Sequence, residues 1–182
     1  LRRASVAKSD AQRAQQRIHV YQNGREARHI RQLAILGDLS RAVEENELKL
    51  YLQPKIRLDN GQVCGAEALL RWDHPELGQI SPNEFIPLAE SAGNIKLITR
   101  WVVERSIQQC STWKKLDINL PIAINLSARD LLNDSLPRFI AQELDKYEVG
   151  AESVSLEITE EALIADFDQA ASVLTKLKAM GW

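Results

Sequence analysis

Two strand-like runs, LKLYLQPKIRL (residues 48–58) and QVCGAEALLRW (residues 62–72), are separated only by Asp59-Asn60-Gly61. Three residues cannot carry a crossover, so the two runs must be antiparallel neighbours. After the hairpin the pattern changes. Ser81-Pro82-Asn83-Glu84 reads as N-cap, first-turn proline and acidic third position, opening a helix that holds FIPLAES and ends near Gly93. A longer helix follows over about residues 96–115, offering Ile98, Trp101, Val102, Ile107 and Trp113 for packing. LPIAINLS is a third strand, and Ser127 then caps a helical segment with Asp130 in the capping-box position. A helix near 135–147, the strand SVSLEITE and a helix over about 168–180 complete the series. Alternation of this kind implies an α/β fold whose parallel strands are covered by helices. Two architectures satisfy it: a small open sheet, or a barrel cut in half.

Upstream, residues 1–17 are helical by composition, IHVYQ reads as a short strand, and Asn23-Gly24 as a turn. A long helix is predicted from Arg25 to about residue 46, with Ile30, Leu33, Ile35, Leu36, Leu39 and Val43 forming an apolar stripe. The start at Leu1, without a methionine and already helical, points to a piece of a longer chain.

Bulk properties narrow the function. At 182 residues the default is one domain, with room for part of another, and 45% hydrophobic with 26% charged residues is the composition of a soluble globular protein. A net charge of −2 offers no basic surface for a nucleic-acid polymer and no polybasic membrane patch. There is neither a signal peptide nor an apolar run of membrane-spanning length, so this segment is expected to be cytoplasmic and free of membrane contact, whatever sensory or membrane domain a parent chain carries upstream. Cys64 and Cys110 lie far apart in apolar runs, with no CxxC or Cys/His cluster. They read as two buried, reduced thiols rather than zinc ligands.

Side chains alternate across a strand, so Glu67, Leu69 and Arg71 share one face while Ala66, Ala68, Leu70 and Trp72 share the other. Each later strand also brings an oxygen-bearing side chain toward its C-terminal end, Asn125 on the third and Glu157 on the fourth, where barrel active sites lie. Two carboxylates and an amide oxygen form a hard donor set, suited to Mg²⁺ or Mn²⁺ and to phosphodiester chemistry. Each residue alone has an ordinary explanation. Glu67 and Arg71 could be a buried ion pair, Asn125 could satisfy loop backbone, Glu157 could pair with a lysine, and Glu160 and Glu161 could favour a helix N-terminus. Spacing also leaves open a barrel glycosidase with Glu67 and Glu157 as general acid and base.

The motifs AEALLRWDHPELG (66–78), SPNEFIPLAE (81–90), INLSARDL (124–131) and SLEITEEAL (155–163), with YLQP (51–54) upstream, resemble the signature of the EAL domain, the bacterial cyclic di-GMP phosphodiesterase. The resemblance covers roughly residues 40–182. It implies a (β/α)8 TIM-type barrel with an antiparallel first strand, of which this chain holds about the first half. It also implies that Glu67, Asn125 and Glu157 ligate Mg²⁺ or Mn²⁺, with Glu67 and Glu157 serving catalysis. Arg71 would bind a phosphate, Gln53 and Leu69 would line the nucleotide pocket, and Glu160 would hold a metal-site loop. The implied reaction is hydrolysis of cyclic di-GMP to linear pGpG, in a protein that forms a homodimer. LRRASVAKSDAQRAQQRIHVY resembles the last helix and strand of a GGDEF domain, the partner that makes cyclic di-GMP, but reads Lys8-Ser9-Asp10 where that family has a tyrosine after the alanine. The implied organisation is a degenerate GGDEF remnant over 1–22, a helical linker over 23–46 and the N-terminal portion of an EAL domain over 47–182. The family's Asp-Asp-Phe-Gly segment and its later lysine and glutamate are not in this chain, so the expectation is a competent parent and a fragment inactive alone. The competing expectation is a non-catalytic cyclic di-GMP receptor or regulatory interaction module.

Overall fold

The computed structural model describes residues 25–158 and 167–181. The expected GGDEF remnant over 1–22, and Glu160 and Glu161, lie outside the described residues. Two compact units divide between Leu39 and Ser40. The first is described only as the opening of helix α1 (Arg25–Glu44). On α1, Ile35, Leu39 and Ala42 are buried, whereas Ile30 and Leu33 stand 61% and 59% exposed. The buried stripe is therefore shorter than the sequence spacing suggests: it follows the i, i+4, i+7 row and takes Ala42 in place of Val43.

The second unit is a mixed sheet with helices against one face. Its strands are β1 (Leu48–Ile56), β2 (Val63–His74), β3 (Gly78–Ile80), β4 (Ile122–Leu126) and β5 (Val154–Ile158), and the main path runs β1-β2-β4-β5. The β1–β2 pair is antiparallel, and β2–β4 and β4–β5 are parallel, as the tight hairpin and the later alternation require. The hairpin turn is built as its residues dictate. Gly61 takes φ +71°, Asn60 Oδ1 accepts from Gln62 N at 3.0 Å, and Arg57 N donates to Gln62 O at 2.9 Å.

The alternation expected along β2 is present. Ala66, Ala68, Leu70 and Trp72 are buried while Glu67, Leu69 and Arg71 are only half-buried. Behind the buried face pack α2 (Pro82–Ala92) and α3 (Ile95–Lys114). Trp72 meets Phe85 of α2 edge-on at 5.3 Å between ring centres, a contact that adds about 1 kcal/mol to its area burial. Of the residues offered by α3, Ile98, Trp101, Val102 and Ile107 are buried and Trp113 is half-buried. α4 (Ala128–Leu131), α5 (Leu136–Tyr147) and α6 (Phe167–Ala179) complete the helices, α5 packing on α3.

Two local expectations are corrected, and one strand was not anticipated. Pro82 does open α2, but the Ser81 hydroxyl makes no capping bond, so the proline's fixed φ sets that start instead. The short strand β3 follows the turn at residues 75–77, opens on Gly78 at φ +69° and pairs Trp72 with Ile80, and three residues are too few to announce themselves by alternation. Cys64 is exposed, unlike Cys110. It sits at the hairpin end of β2, short of the first β2–β4 pair at Ala66 and Ile122. Burial pushes the Cys110 thiol up to about 11, and its sulfur donates to Ser153 O at 3.2 Å.

Candidate metal and phosphodiester site

β2 has two edges. Trp72 faces Leu48 of β1 on one and Ile80 of β3 on the other, while lower down Glu67 faces Ala123 of β4. β3 and β4 thus share one edge of β2 and leave that edge unpaired at residues 68–71, whose other edge is paired with β1. A cleft of about 880 Å³ opens there, lined among others by Leu69, Arg71, Gln79, Asn125 and Ser127. This is the C-terminal end of the parallel strands, where the direction of chain travel places loops and substrate.

The loop after β4 is held by a capping box. Ser127 Oγ accepts from Asp130 N at 3.3 Å, and Asp130 Oδ2 accepts from Ser127 N at 2.9 Å and from Ser127 Oγ at 2.7 Å. Asp130 Oδ1 accepts from Thr99 Oγ1 of α3 at 2.8 Å, tying the loop to the helix layer. Asp130 is 1% exposed, so these bonds replace all of its solvation.

On the sheet face itself, Asn125 Nδ2 donates to Glu67 Oε1 at 2.8 Å. Glu157 is the register partner of Asn125, and Gln53 is that of Glu67. The structure therefore brings Gln53, Glu67, Asn125 and Glu157 onto adjacent strands of one face. Leu69 and Arg71 continue that face upward. Arg71 Nη1 donates to the backbone of Leu70 at 2.7 Å, and its guanidinium lies 5.9 Å from the Tyr51 ring centre, a cation–π distance. The ordinary readings fare unevenly. No Glu67–Arg71 ion pair is present, and Asn125 bonds a carboxylate rather than loop backbone. Glu157, however, does pair with a lysine: Lys55 Nζ of β1 donates to its Oε1.

Lys55 and Tyr51 were not singled out in the sequence. Both follow from alternation once the hairpin register is known, because Tyr51, Gln53 and Lys55 lie on the face of Leu69, Glu67 and Gly65. Among the described residues no group of three or more His, Cys, Asp or Glu side chains is placed to hold a metal ion. The donor chemistry nonetheless fits a hard divalent cation. It consists of two carboxylates and an amide, the amide's nitrogen turned to Glu67 so that its oxygen is left for another partner.

An antiparallel opening strand, parallel α/β units and oxygen donors at the strand ends define part of a TIM-type barrel with a polar site at its mouth. The chain belongs to the EAL domain family, whose profile matches residues 36–182. It is 38% identical over 152 residues to a cyclic di-GMP phosphodiesterase of Pseudomonas aeruginosa, covering 83% of this chain and 26% of that one. It is 39% identical over 153 residues to the bifunctional diguanylate cyclase/cyclic di-GMP phosphodiesterase MucR of the same organism, covering 82% of this chain and 22% of that one. The solved MucR phosphodiesterase in complex with cyclic di-GMP superposes with a TM-score of 0.76 at 37% identity, over 81% of this chain and 60% of that chain. The 182 residues thus span about a quarter of the length of these curated relatives.

Proposed function

We propose that the chain contributes the first half of a metal-dependent phosphodiesterase site that opens cyclic di-GMP to pGpG. The observation that carries this reading is the 2.8 Å bond between Asn125 and Glu67, with Glu157 in register beside them on the exposed sheet face of an EAL domain. In this reading Glu67, Asn125 and Glu157 hold Mg²⁺ or Mn²⁺. When bound, such an ion supplies positive charge for the phosphodiester oxygens and acidifies water. The chain's own residues do the rest. Arg71, stacked near Tyr51, presents a guanidinium to a phosphate, where its planar donors suit two oxygens at once. Leu69 and Gln53 flank that position and give a guanine base an apolar and an amide neighbour. Glu160 serves to hold the loop after β5.

Residues 1–22 belong in this reading to a degenerate GGDEF remnant and 23–46 to a linker, with the EAL portion after them. The protein works as a homodimer in the cytoplasm. No described helix is long and apolar enough to cross a membrane. A second reading, a receptor that binds cyclic di-GMP without cutting it, is favoured by one observation: Glu157 is engaged by Lys55. Calorimetry with cyclic di-GMP, with and without Mn²⁺, separates the two. The phosphodiesterase reading expects binding that Mn²⁺ strengthens and that Arg71→Ala weakens by roughly tenfold or more. Binding indifferent to Mn²⁺ favours the receptor, and no loss with Arg71→Ala refutes the placement of the phosphate.

A further inference from the structure

We propose that Lys55 is the site's resident monovalent cation, holding Glu157 until a divalent ion displaces it and so setting the site's metal affinity. The proposal rests on the reading of Glu157 as a metal ligand. Lys55 and Glu157 belong to β1 and β5, the two ends of the β1-β2-β4-β5 path, so the lysine reaches across the whole sheet face to make the pair. Its register partner is Gly65, so no β2 side chain stands directly opposite it. No cap or turn calls for the contact. The two side chains are 38% and 40% exposed, so the pair holds Glu157 weakly and can be displaced. A divalent ion at Glu157 competes for the same carboxylate oxygen and is repelled by the ammonium beside it.

The test is Mn²⁺ binding without nucleotide, followed by calorimetry and by loss of the free-Mn²⁺ electron paramagnetic resonance signal. The proteins are the wild-type chain, Lys55→Met, Glu157→Gln and the double variant, with Lys55→Gln as a second replacement and thermal unfolding as the check that each is folded. Lys55→Met should bind Mn²⁺ roughly three- to tenfold more tightly, the span expected when a part-exposed pair and its residual repulsion are removed. In the Glu157→Gln background the same replacement should tighten binding clearly less, because only the repulsion is removed. Unchanged or weaker binding in Lys55→Met, or tightening that is as large without Glu157, overturns the proposal while leaving the metal site standing. No Mn²⁺ uptake by wild type or Lys55→Met overturns the metal reading and the proposal with it.

Discussion

Asp130→Ala is the replacement whose cost can be worked most fully from the structure. The carboxylate accepts from Ser127 N at 2.9 Å, Ser127 Oγ at 2.7 Å and Thr99 Oγ1 at 2.8 Å, all at a position 1% exposed. Alanine abolishes all three. Thr99 Oγ1 keeps a second acceptor, Ile95 O at 3.2 Å, so its hydroxyl is not orphaned. Ser127 N is left without an acceptor at a helix start that water reaches poorly. Loss of a cap costs about 0.5–2 kcal/mol, and a charge-assisted bond about 1.5–3 kcal/mol. Because the bonds share one group they do not add, and the expected loss is about 2–4 kcal/mol. Asp130→Asn keeps an oxygen toward Thr99 and should lose about half as much. Urea unfolding followed by tryptophan fluorescence reads both. Thr99→Val should cost about 1 kcal/mol in wild type and little in the Asp130→Ala background. A loss under about 1 kcal/mol for Asp130→Ala, or full additivity with Thr99→Val, would refute the account of this loop. Asn125 stands two residues before Ser127, so the same replacement should also weaken Mn²⁺ binding.

Three further outcomes follow from particular contacts. A Cβ at Gly65 would stand 2.9 Å from Pro121 O, the atom that accepts from Ala66 N, so Gly65→Ala should destabilise by about 1–3 kcal/mol in urea unfolding. Iodoacetamide at pH 8 should alkylate Cys64 quickly and Cys110 only on unfolding, because Cys64 is exposed whereas Cys110 is buried with its thiol pushed up to about 11. Mass spectrometry of the labelled peptides distinguishes them. The hydrogen bond from Lys146 holds Glu104 below the usual carboxylate range. A depressed carboxylate stabilises above its unfolded pKa and loses that contribution as pH falls through the folded value. Lys146→Met should therefore cost a small amount of stability at neutral pH that disappears in acid and in high salt, since the pair is about half exposed.

What the sequence disclosed depended on pattern length. The Asp59-Asn60-Gly61 turn and the alternation along Val63–His74 determine strand direction and facing by local chemistry alone, and both are present. The capping box at Ser127 and Asp130 was legible for the same reason, since both partners lie within one turn. The bond from Thr99 to Asp130 was not, because it joins residues 31 apart through packing. Lys55 illustrates the same limit. Its face follows from the hairpin register, but its partner Glu157 is 102 residues away and is fixed only when β5 joins the sheet. At Ser81 the sequence signal was correct in place and wrong in mechanism, because proline can set the first turn without help from the hydroxyl. Cys64 was misplaced because an apolar run does not reveal where its neighbouring strand stops.

The most direct test of the central claim is conversion of cyclic di-GMP to pGpG with Mn²⁺, on these residues carried in a chain as long as the EAL structure they match, beside its Glu67→Ala variant. Turnover that needs the metal and falls by at least about a hundredfold in the variant is the predicted result. Turnover that survives Glu67→Ala, or that proceeds equally well in chelator, would contradict it.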